Sequence, residues 1–198
     1  MTAKAELLKA IAAEVVVCRK CHLWRTRKNA VSGEGNPDAL VVFVGEAPGY
    51  WEDVKGKPFV GAAGKFLESL LAIAGFSRED VFICNVLKCR PPGNREPLPL
   101  EIQTCTPYLD RQIKVIQPKV IVTLGNHSSA YIFSKAGLEF KSITQVHGKF
   151  YDAAILGGKI IVFPTFHPAA ALYSAKYKEQ ITNDFKLLKQ KLAEKGIA

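Results

Sequence analysis

The stretch ALVVFVGEAPGYWED, residues 39–53, decides the predicted fold. Residues 39–44 form a continuous apolar run, which is typical of a strand buried on both faces of a parallel sheet. A polar turn flanked by glycines, GEAPG, follows the run directly. In open α/β sheets, ligands bind outside the carboxyl ends of the strands. The stretch therefore predicts an α/β fold with a ligand site that begins at this turn.

Strands and helices alternate on both sides of this stretch. Further strands are predicted within residues 80–87 and 118–125, and a hairpin that turns at Gly157 and Gly158 is predicted within 148–166. Amphipathic helices are predicted over about 3–17, 62–75, 99–116 and 127–137, and from about Lys176 onward. This order favours an open, largely parallel sheet with helices packed against it.

The length and composition of the chain predict a single domain over residues 1–198. The sequence has no run of about 18 apolar residues that could cross a membrane. Lys4, Glu6, Lys9 and Glu14 interrupt the N-terminal stretch too often for the apolar region of a signal peptide. We therefore expect a cytoplasmic protein.

Basic residues exceed acidic ones. Lys and Arg number 27 against 18 Asp and Glu, which gives a formal charge of +9. Such an excess favours a polyanionic partner such as nucleic acid. The alternative is that much of the excess forms the solvated face of the C-terminal helix, in KYKEQITNDFKLLKQKLAEK.

Four of the five cysteines are spaced as metal ligands. Cys18 and Cys21 form a chelating pair in CRKC, and Cys105 follows Cys89 by sixteen positions. Four thiolates from two distant segments can hold a tetrahedral zinc ion or a [4Fe-4S] cluster. Because only one pair is tight, the spacing favours iron–sulfur slightly, and four unrelated thiols are the alternative. Cys84 lies inside VFICNVL and is predicted to be a core residue.

The polar residues that follow the predicted strands all fall on one rim of the sheet. Asn85 can both donate and accept hydrogen bonds, as reading the amide edge of a base requires. His167, in HPAAAL after the last strand, can donate to a developing oxyanion. Phe59 lies in a loop with flanking glycines and can stack on a planar ligand, or it can be an ordinary core residue. His22 is predicted to be a core group and His147 to lie on the hairpin surface.

Together these residues predict a pocket that binds a planar ring bearing carbonyls and weakens a bond to it. Four motifs then carry a resemblance: GEAPGYWED, GKPFVGAAGKFLESLL, NVLKCRPPGNREP and HPAAAL occur in that order, with four matching cysteines. Over about residues 18–175, the chain resembles the family 4 uracil-DNA glycosylases. The resemblance implies a three-layer α/β/α uracil-DNA glycosylase fold with a central, mainly parallel four-stranded sheet.

The resemblance also implies an activity. Such an enzyme flips uracil, the product of cytosine deamination, out of single- or double-stranded DNA and hydrolyses its N-glycosidic bond, which starts base excision repair. Phe59 would stack on the flipped uracil, Asn85 would read its Watson–Crick edge, and His167 would stabilise the oxygen of the departing base. The backbone of the pocket would come from the GEAPG turn, with Gly45, Ala47 and Gly49.

The carboxylate that orients water cannot be assigned by alignment. Family 1 enzymes carry an aspartate in the corresponding GQDPY turn, where this chain has Ala47. Glu46 is the first candidate, and Glu52 or Asp53 is the second, because an oxocarbenium-like sugar needs mainly a nearby negative charge and a bound water. The region of Glu52 is also the candidate for excluding the methyl group of thymine. Leu172 is the candidate wedge that fills the gap left by the base.

The resemblance further implies a structural [4Fe-4S] cluster on Cys18, Cys21, Cys89 and Cys105, which would tie residues 1–38 to the core. DNA that contains uracil is the expected partner, a replication clamp is a further candidate, and we expect a monomer. Two rival functions stay open. One is covalent crosslinking to uracil DNA through a histidine in an inserted basic loop, although KCRPPGNREPLPLEIQTC lacks that insertion. The other is a non-catalytic nucleic-acid-binding protein that carries a cluster.

Overall fold

The computed structural model describes residues 2–197, which include one six-stranded sheet. Its strands are β1 (Glu34–Gly35), β2 (Val41–Gly45), β3 (Phe82–Asn85), β4 (Val120–Leu124), β5 (Tyr151–Ile155) and β6 (Gly158–Thr165). They lie in the order β1-β3-β2-β4-β6-β5. The four inner strands are parallel, and each edge strand is antiparallel to its neighbour.

The predicted α/β fold with a mainly parallel sheet is confirmed, but the count of four strands is wrong. The four parallel strands form the centre, and the count omits the two antiparallel edges. β5 is the first half of the hairpin that the residue pattern predicted, and the turn lies at Leu156 and Gly157, one position earlier than expected. β1 has only two residues, which is too short to give a recognisable period.

Seven α-helices flank the strands in the described chain. They are α1 (Ala3–Val17), α2 (Tyr50–Lys55), α3 (Ala62–Ala74), α4 (Pro99–Ile116), α5 (Asn126–Lys135), α6 (Ile143–Val146) and α7 (Ala175–Glu194). The five predicted helices are confirmed, whereas α2 and α6 were not predicted because six and four residues show no helical period. None of the helices in residues 2–197 combines the length and the apolar character that crossing a membrane requires.

The core forms around the inner strands. Every residue of β2, β3 and β4 is buried, and Phe43 of β2 stacks on Phe185 of α7 with ring centroids 5.9 Å apart. A second, smaller apolar cluster of Ile11, Val15 and Tyr108 joins α1 to α4. This second contact holds the end of α1, where Cys18 lies, close to the α4 residue Cys105.

Candidate active site

A cavity of about 390 Å³ opens at the carboxyl ends of the parallel strands. Small-molecule sites commonly have volumes of about 300 to 1,000 Å³. Asn85 ends β3, and His167 lies two residues beyond β6. The lining residues are Glu46, Ala47, Pro48, Gly49, Glu52, Phe59, Ala63, Asn85, Pro91, Asn94, Arg95, His167 and Ala169.

The structure brings most of the predicted site residues to this cavity. The predicted residues that line it are Glu46, Ala47, Gly49, Glu52, Phe59, Asn85 and His167. Gly45 lies directly behind the lining, against Asn85 and Phe59. Leu172 lies outside it, with 47% of its surface exposed, at the end of the 3-10 turn Pro168–Leu172. Asp53 is buried and does not line the cavity.

The GEAPG turn is held in place by two neighbouring inner strands, β2 and β3. Gly45 is paired with Asn85 across β2 and β3, and a Cβ atom at position 45 would overlap the Asn85 side chain and lie 2.7 Å from the Phe59 ring. Only glycine fits such an approach. The carbonyl oxygens of Gly45 and Glu46 accept hydrogen bonds from Val86 N (3.0 Å) and Leu87 N (2.9 Å), so the turn continues the sheet.

Phe59 is fixed in a strained conformation. Its φ is +50°, which costs a non-glycine residue about 1–3 kcal/mol and persists only where the surroundings determine it. The surroundings do so here: Glu52 Oε1 accepts from Val60 N (2.8 Å) and Gly61 N (2.9 Å), and Arg78 donates to the Phe59 carbonyl (3.0 Å). The Phe59 ring therefore has a set position, 5.6 Å from the His167 ring with an angle of 28° between their planes.

Asn85 presents an unused hydrogen-bond acceptor inside the protein. The residue is 2% exposed, and within the described chain its Oδ1 has no hydrogen-bond partner. Leaving a buried polar group unpaired costs about 1–3 kcal/mol. Because Asn85 lines the cavity, a ligand that carries an N–H group would satisfy this oxygen.

Lys88 holds Asn85 from behind, and nothing in the sequence indicates this role beyond the place of Lys88 in NVLKCRPP. Its side chain is 1% exposed, and Nζ donates to the Asn85 carbonyl (2.9 Å) and to Gln112 Oε1 (2.7 Å). Burial lowers the pKa of this amine, and the nearby thiols of Cys84 and Cys105 oppose the shift. The backbone N of Lys88 also donates to Cys105 Sγ at 3.2 Å. Lys88 thus connects the cysteine region with the cavity.

His167 is a neutral donor whose tautomer is set by the backbone. Its Nδ1 accepts from Ala169 N at 3.1 Å, so the proton of a neutral ring must lie on Nε2. Burial lowers the pKa of His167 to about 4, against the opposing effect of the Glu52 charge. At neutral pH the ring therefore carries one proton, on the nitrogen that is free to meet a ligand. Gly125 packs against His167. A Cβ atom at position 125, where φ is +95°, would lie only 3.1 Å from His167 Cβ, so a larger residue there would crowd the histidine.

Glu46 has a carboxylate in a partly dehydrated position. Its side chain is 33% exposed, and its Oε2 lies 3.9 Å from His127 Nε2. Burial raises the pKa of Glu46, the charge of His127 opposes that shift, and Glu96 adds to it. His127 follows β4 in GNHSS, at the same rim of the sheet, and its contact with Glu46 leaves no pattern in the sequence.

The two alternative carboxylates are engaged by backbone groups. Asp53 Oδ1 accepts from Lys28 N (2.8 Å) and Asn29 N (3.3 Å), behind the site. Glu52 uses Oε1 for the loop that carries Phe59, while its Oε2 faces Gly49. Both residues therefore fasten loops, and Glu46 alone of the three makes no backbone hydrogen bond through its side chain in residues 2–197.

Two other histidines differ from expectation. His22 is exposed and pairs with Glu101 (3.0 Å), so the prediction of a core group is wrong. His147 precedes the hairpin and is partly buried, with Nδ1 3.0 Å from Asp184 Oδ2, so the prediction of a hairpin surface residue is also wrong. Each histidine pairs with a residue far along the chain, so neither contact leaves a local pattern in the sequence.

The four predicted ligand cysteines surround a second, smaller cavity. Cys18 ends α1, Cys21 precedes the 3-10 turn His22–Arg25, Cys89 follows β3 and Cys105 lies in α4. Cys84 is 1% exposed within the main core, as predicted. In residues 2–197, no group of three or more His, Cys, Asp or Glu side chains is arranged to hold a single metal ion.

Two of the four sulfur atoms, those of Cys89 and Cys105, accept hydrogen bonds from N–H donors. Arg27 Nη1 donates to Cys89 Sγ at 3.0 Å, and its Nη2 donates to the Val16 carbonyl at 2.6 Å. Burial raises the pKa of the Cys89 thiol and raises that of Cys105 to about 12. Thiols in such a place ionise when a metal binds them, and N–H···S bonds then stabilise the charge. The donor set therefore fits an iron–sulfur cluster.

Comparison with known proteins places the chain in a family. The model of the uracil DNA glycosylase superfamily matches residues 32–189. A type-4 uracil-DNA glycosylase of Saccharolobus solfataricus is 55% identical over 191 residues, which cover 96% of this chain and 88% of that protein. The type-4 enzyme of Sulfurisphaera tokodaii is 56% identical over 92% of this chain and 84% of its own, and that of Archaeoglobus fulgidus is 51% identical over 91% of each. The chain belongs to the uracil DNA glycosylase superfamily, and within it to the type-4 uracil-DNA glycosylases.

Proposed function

We propose that this protein is a monofunctional uracil-DNA glycosylase that starts base excision repair on single- and double-stranded DNA. One observation carries the proposal: Asn85, whose buried Oδ1 has no hydrogen-bond partner in the described chain, lines a cavity of about 390 Å³ beside a fixed phenyl ring and a neutral imidazole. Uracil presents an N–H at N3 between two carbonyl groups. The Asn85 amide can accept from N3–H and donate to O4, whereas cytosine presents an acceptor at N3 and a donor at N4.

The reaction breaks the C1′–N1 bond, and the electron pair leaves with uracil. In this proposal His167 Nε2–H donates to uracil O2, where negative charge develops, and Phe59 supports the plane of the base. The positive charge that develops on the sugar is stabilised by the Glu46 carboxylate, which also orients the water that attacks C1′ and accepts its proton. Glu52 then acts as a positioning residue for the Phe59 loop.

A uracil-release assay on a single-stranded oligonucleotide tests the proposed activity. Multiple turnovers with free uracil and an abasic strand as products are expected. A stable protein–DNA adduct after one turnover would support the crosslinking alternative instead, and binding without release of uracil would support the non-catalytic one.

We also infer that the monomer is active, because the residues that line the pocket come from one chain. We infer a cytoplasmic location as well, because reduced cysteines persist in reducing compartments.

We further propose that Cys18, Cys21, Cys89 and Cys105 hold a [4Fe-4S] cluster that ties residues 1–38 to the core. The cluster would supply a covalent link among the end of α1, the segment after β3 and α4, without taking part in bond cleavage. The support is the shared cavity of the four thiols and the N–H donors from Arg27 and Lys88.

The anaerobically purified protein is expected to be yellow-brown, with broad absorption at about 400 nm. Cys89→Ser should bleach this absorption and lower the iron and sulfide content. Cys84→Ser is the matched control, since that thiol lies in the core, and should leave the absorption intact. A colourless protein with stoichiometric zinc, or equal bleaching in both variants, would contradict the assignment.

Leu172→Ala is expected to slow excision from duplex DNA while sparing single strands. Extruding a base costs a few kcal/mol of unstacking, and an exposed apolar side chain beside the pocket can fill the gap. We expect a loss of roughly ten-fold on a duplex with uracil opposite adenine and a smaller loss opposite guanine, where pairing is weaker. Single-turnover rates on the three substrates measure the effect, and equal losses on all of them would rule out a wedge.

A further inference from the structure

The first turn of α2 exposes two aromatic rings beside the mouth of the cavity. Tyr50 is 46% exposed and Trp51 is 54% exposed, and their ring centroids lie 5.2 Å apart in an edge-to-face arrangement of 82°. They stand between Gly49 and Glu52, both of which line the cavity. Neither ring is buried, and α2 packs against the protein through Asp53.

The position of Trp51 continues the wall of the cavity. A Cβ atom at Gly61 would lie 3.5 Å from Trp51 Cδ1, so the indole borders the start of α3. Two residues further along α3, Ala63 lines the cavity. A strand that leaves the cavity across this rim would bring the base next to uracil to the exposed rings.

Two cations accompany the rings. Lys28 Nζ lies 5.5 Å and Arg90 Cζ lies 5.2 Å from the centroid of Tyr50. Arg90 Nε donates to the neutral Asn94 Oδ1 at 2.7 Å, and Asn94 lines the cavity. Arg90 therefore keeps its full charge for a phosphate at the same rim. Exposed aromatic rings interleaved with cations are the combination that binds single-stranded nucleic acid.

We infer that Trp51 and Tyr50 form a stacking subsite for the nucleobase adjacent to uracil in single-stranded DNA, and that Lys28 and Arg90 bind the phosphate at that step. The inference rests on the proposed function, since the cavity must hold the uracil. The subsite explains how a glycosylase engages a single strand, in which no partner strand holds the substrate in register.

The test removes the ring and the base separately and together. Single-stranded oligonucleotides carry uracil with ordinary neighbours, with an abasic spacer on its 5′ side, or with one on its 3′ side. Wild-type protein, Trp51→Ala and Trp51→Phe are compared by kcat/KM and by the single-turnover rate at saturation. On the ordinary strand, Trp51→Ala should lower kcat/KM by roughly ten-fold or more, with little change at saturation, and Trp51→Phe should retain most of the activity.

The spacer strands give the decisive comparison. A spacer on one side of uracil should lower kcat/KM of the wild type by about the same factor as Trp51→Ala lowers it on the ordinary strand. On that spacer strand, Trp51→Ala should cause no further loss. The inference would be overturned if Trp51→Ala lowered kcat/KM by its full factor on both spacer strands. A large fall in the single-turnover rate of Trp51→Ala at saturation would also overturn it.

A binding readout separates this inference from the proposed activity. The chain has two tryptophans, so Trp24→Phe leaves Trp51 as the sole indole reporter. Binding of the ordinary strand should quench the fluorescence of Trp51. The spacer strand on which Trp51→Ala causes no further loss of kcat/KM should not quench it. Quenching without uracil release from any strand would contradict the glycosylase proposal alone. Uracil release without quenching would contradict the subsite alone.

Discussion

His167→Ala is expected to lower the single-turnover rate of uracil release by roughly 10²- to 10³-fold, the usual loss for one oxyanion donor. The structure gives the physical reason. Ala169 N occupies Nδ1, which leaves the only proton of the neutral ring on Nε2. No other side chain on the exit loop of β6 can replace that donor, because the next residues are Pro168 and three alanines.

Two controls identify a loss in the chemical step. Binding to DNA without uracil should hardly change, since His167 meets the base and not the backbone. The rate should fall equally on single and double strands, in contrast to Leu172→Ala. Because burial lowers the pKa of His167 to about 4, the histidine stays neutral above about pH 5, and the size of the loss should be constant from there to neutral pH. A loss that follows unfolding, measured by thermal denaturation, would contradict the assignment.

The sheet and its rim could be predicted because each inner strand is a long apolar run. Phe43 and its neighbours in β2 cannot face water on either side, so helices must cover both faces. Parallel strands then bring Gly45, Asn85 and His167 to one edge without further information. The edge strand β1 escaped prediction because its two residues are defined by pairing with Phe82 and Ile83, and that pairing leaves no local pattern.

The contacts within the site could be predicted only in part. The identities of Phe59, Asn85 and His167 follow from the chemistry that each side chain can perform. The role of Lys88 does not follow from its chemistry alone. It depends on a hydrogen bond to Gln112, 24 positions away, and on the burial of Lys88 with Nζ between neutral acceptors. As candidates for the water-orienting carboxylate, Glu52 and Asp53 could not be distinguished from the sequence. They differ in the structure, where each one accepts hydrogen bonds from a different loop.

The choice of Glu46 as the water-orienting carboxylate gives the second large prediction. Glu46→Gln should lower the single-turnover rate by roughly 10²- to 10⁴-fold, as expected for a lost general base. Glu52→Gln is the matched comparison, since it disturbs the Phe59 loop and should weaken substrate binding more than it slows the saturated rate. If Glu52→Gln abolished the saturated rate while Glu46→Gln stayed within about two-fold of the wild type, Glu52 would be the catalytic carboxylate.

The pH profile tests the same assignment independently of the size of the loss. Burial disfavours the charged form of Glu46 and raises its pKa above the ordinary value of 4.5, so the active, ionised form is lost on acidification earlier than for an exposed glutamate. The acidic limb of the wild-type profile should therefore lie above pH 4.5, and Glu46→Gln should remove it.

Changing the two charged neighbours of Glu46 should move the acidic limb in opposite directions. His127→Gln removes a stabilising positive charge and should shift the limb to higher pH, whereas Glu96→Gln removes a repelling negative charge and should shift it to lower pH. A limb that stays fixed in both variants would show that a group other than Glu46 controls the reaction.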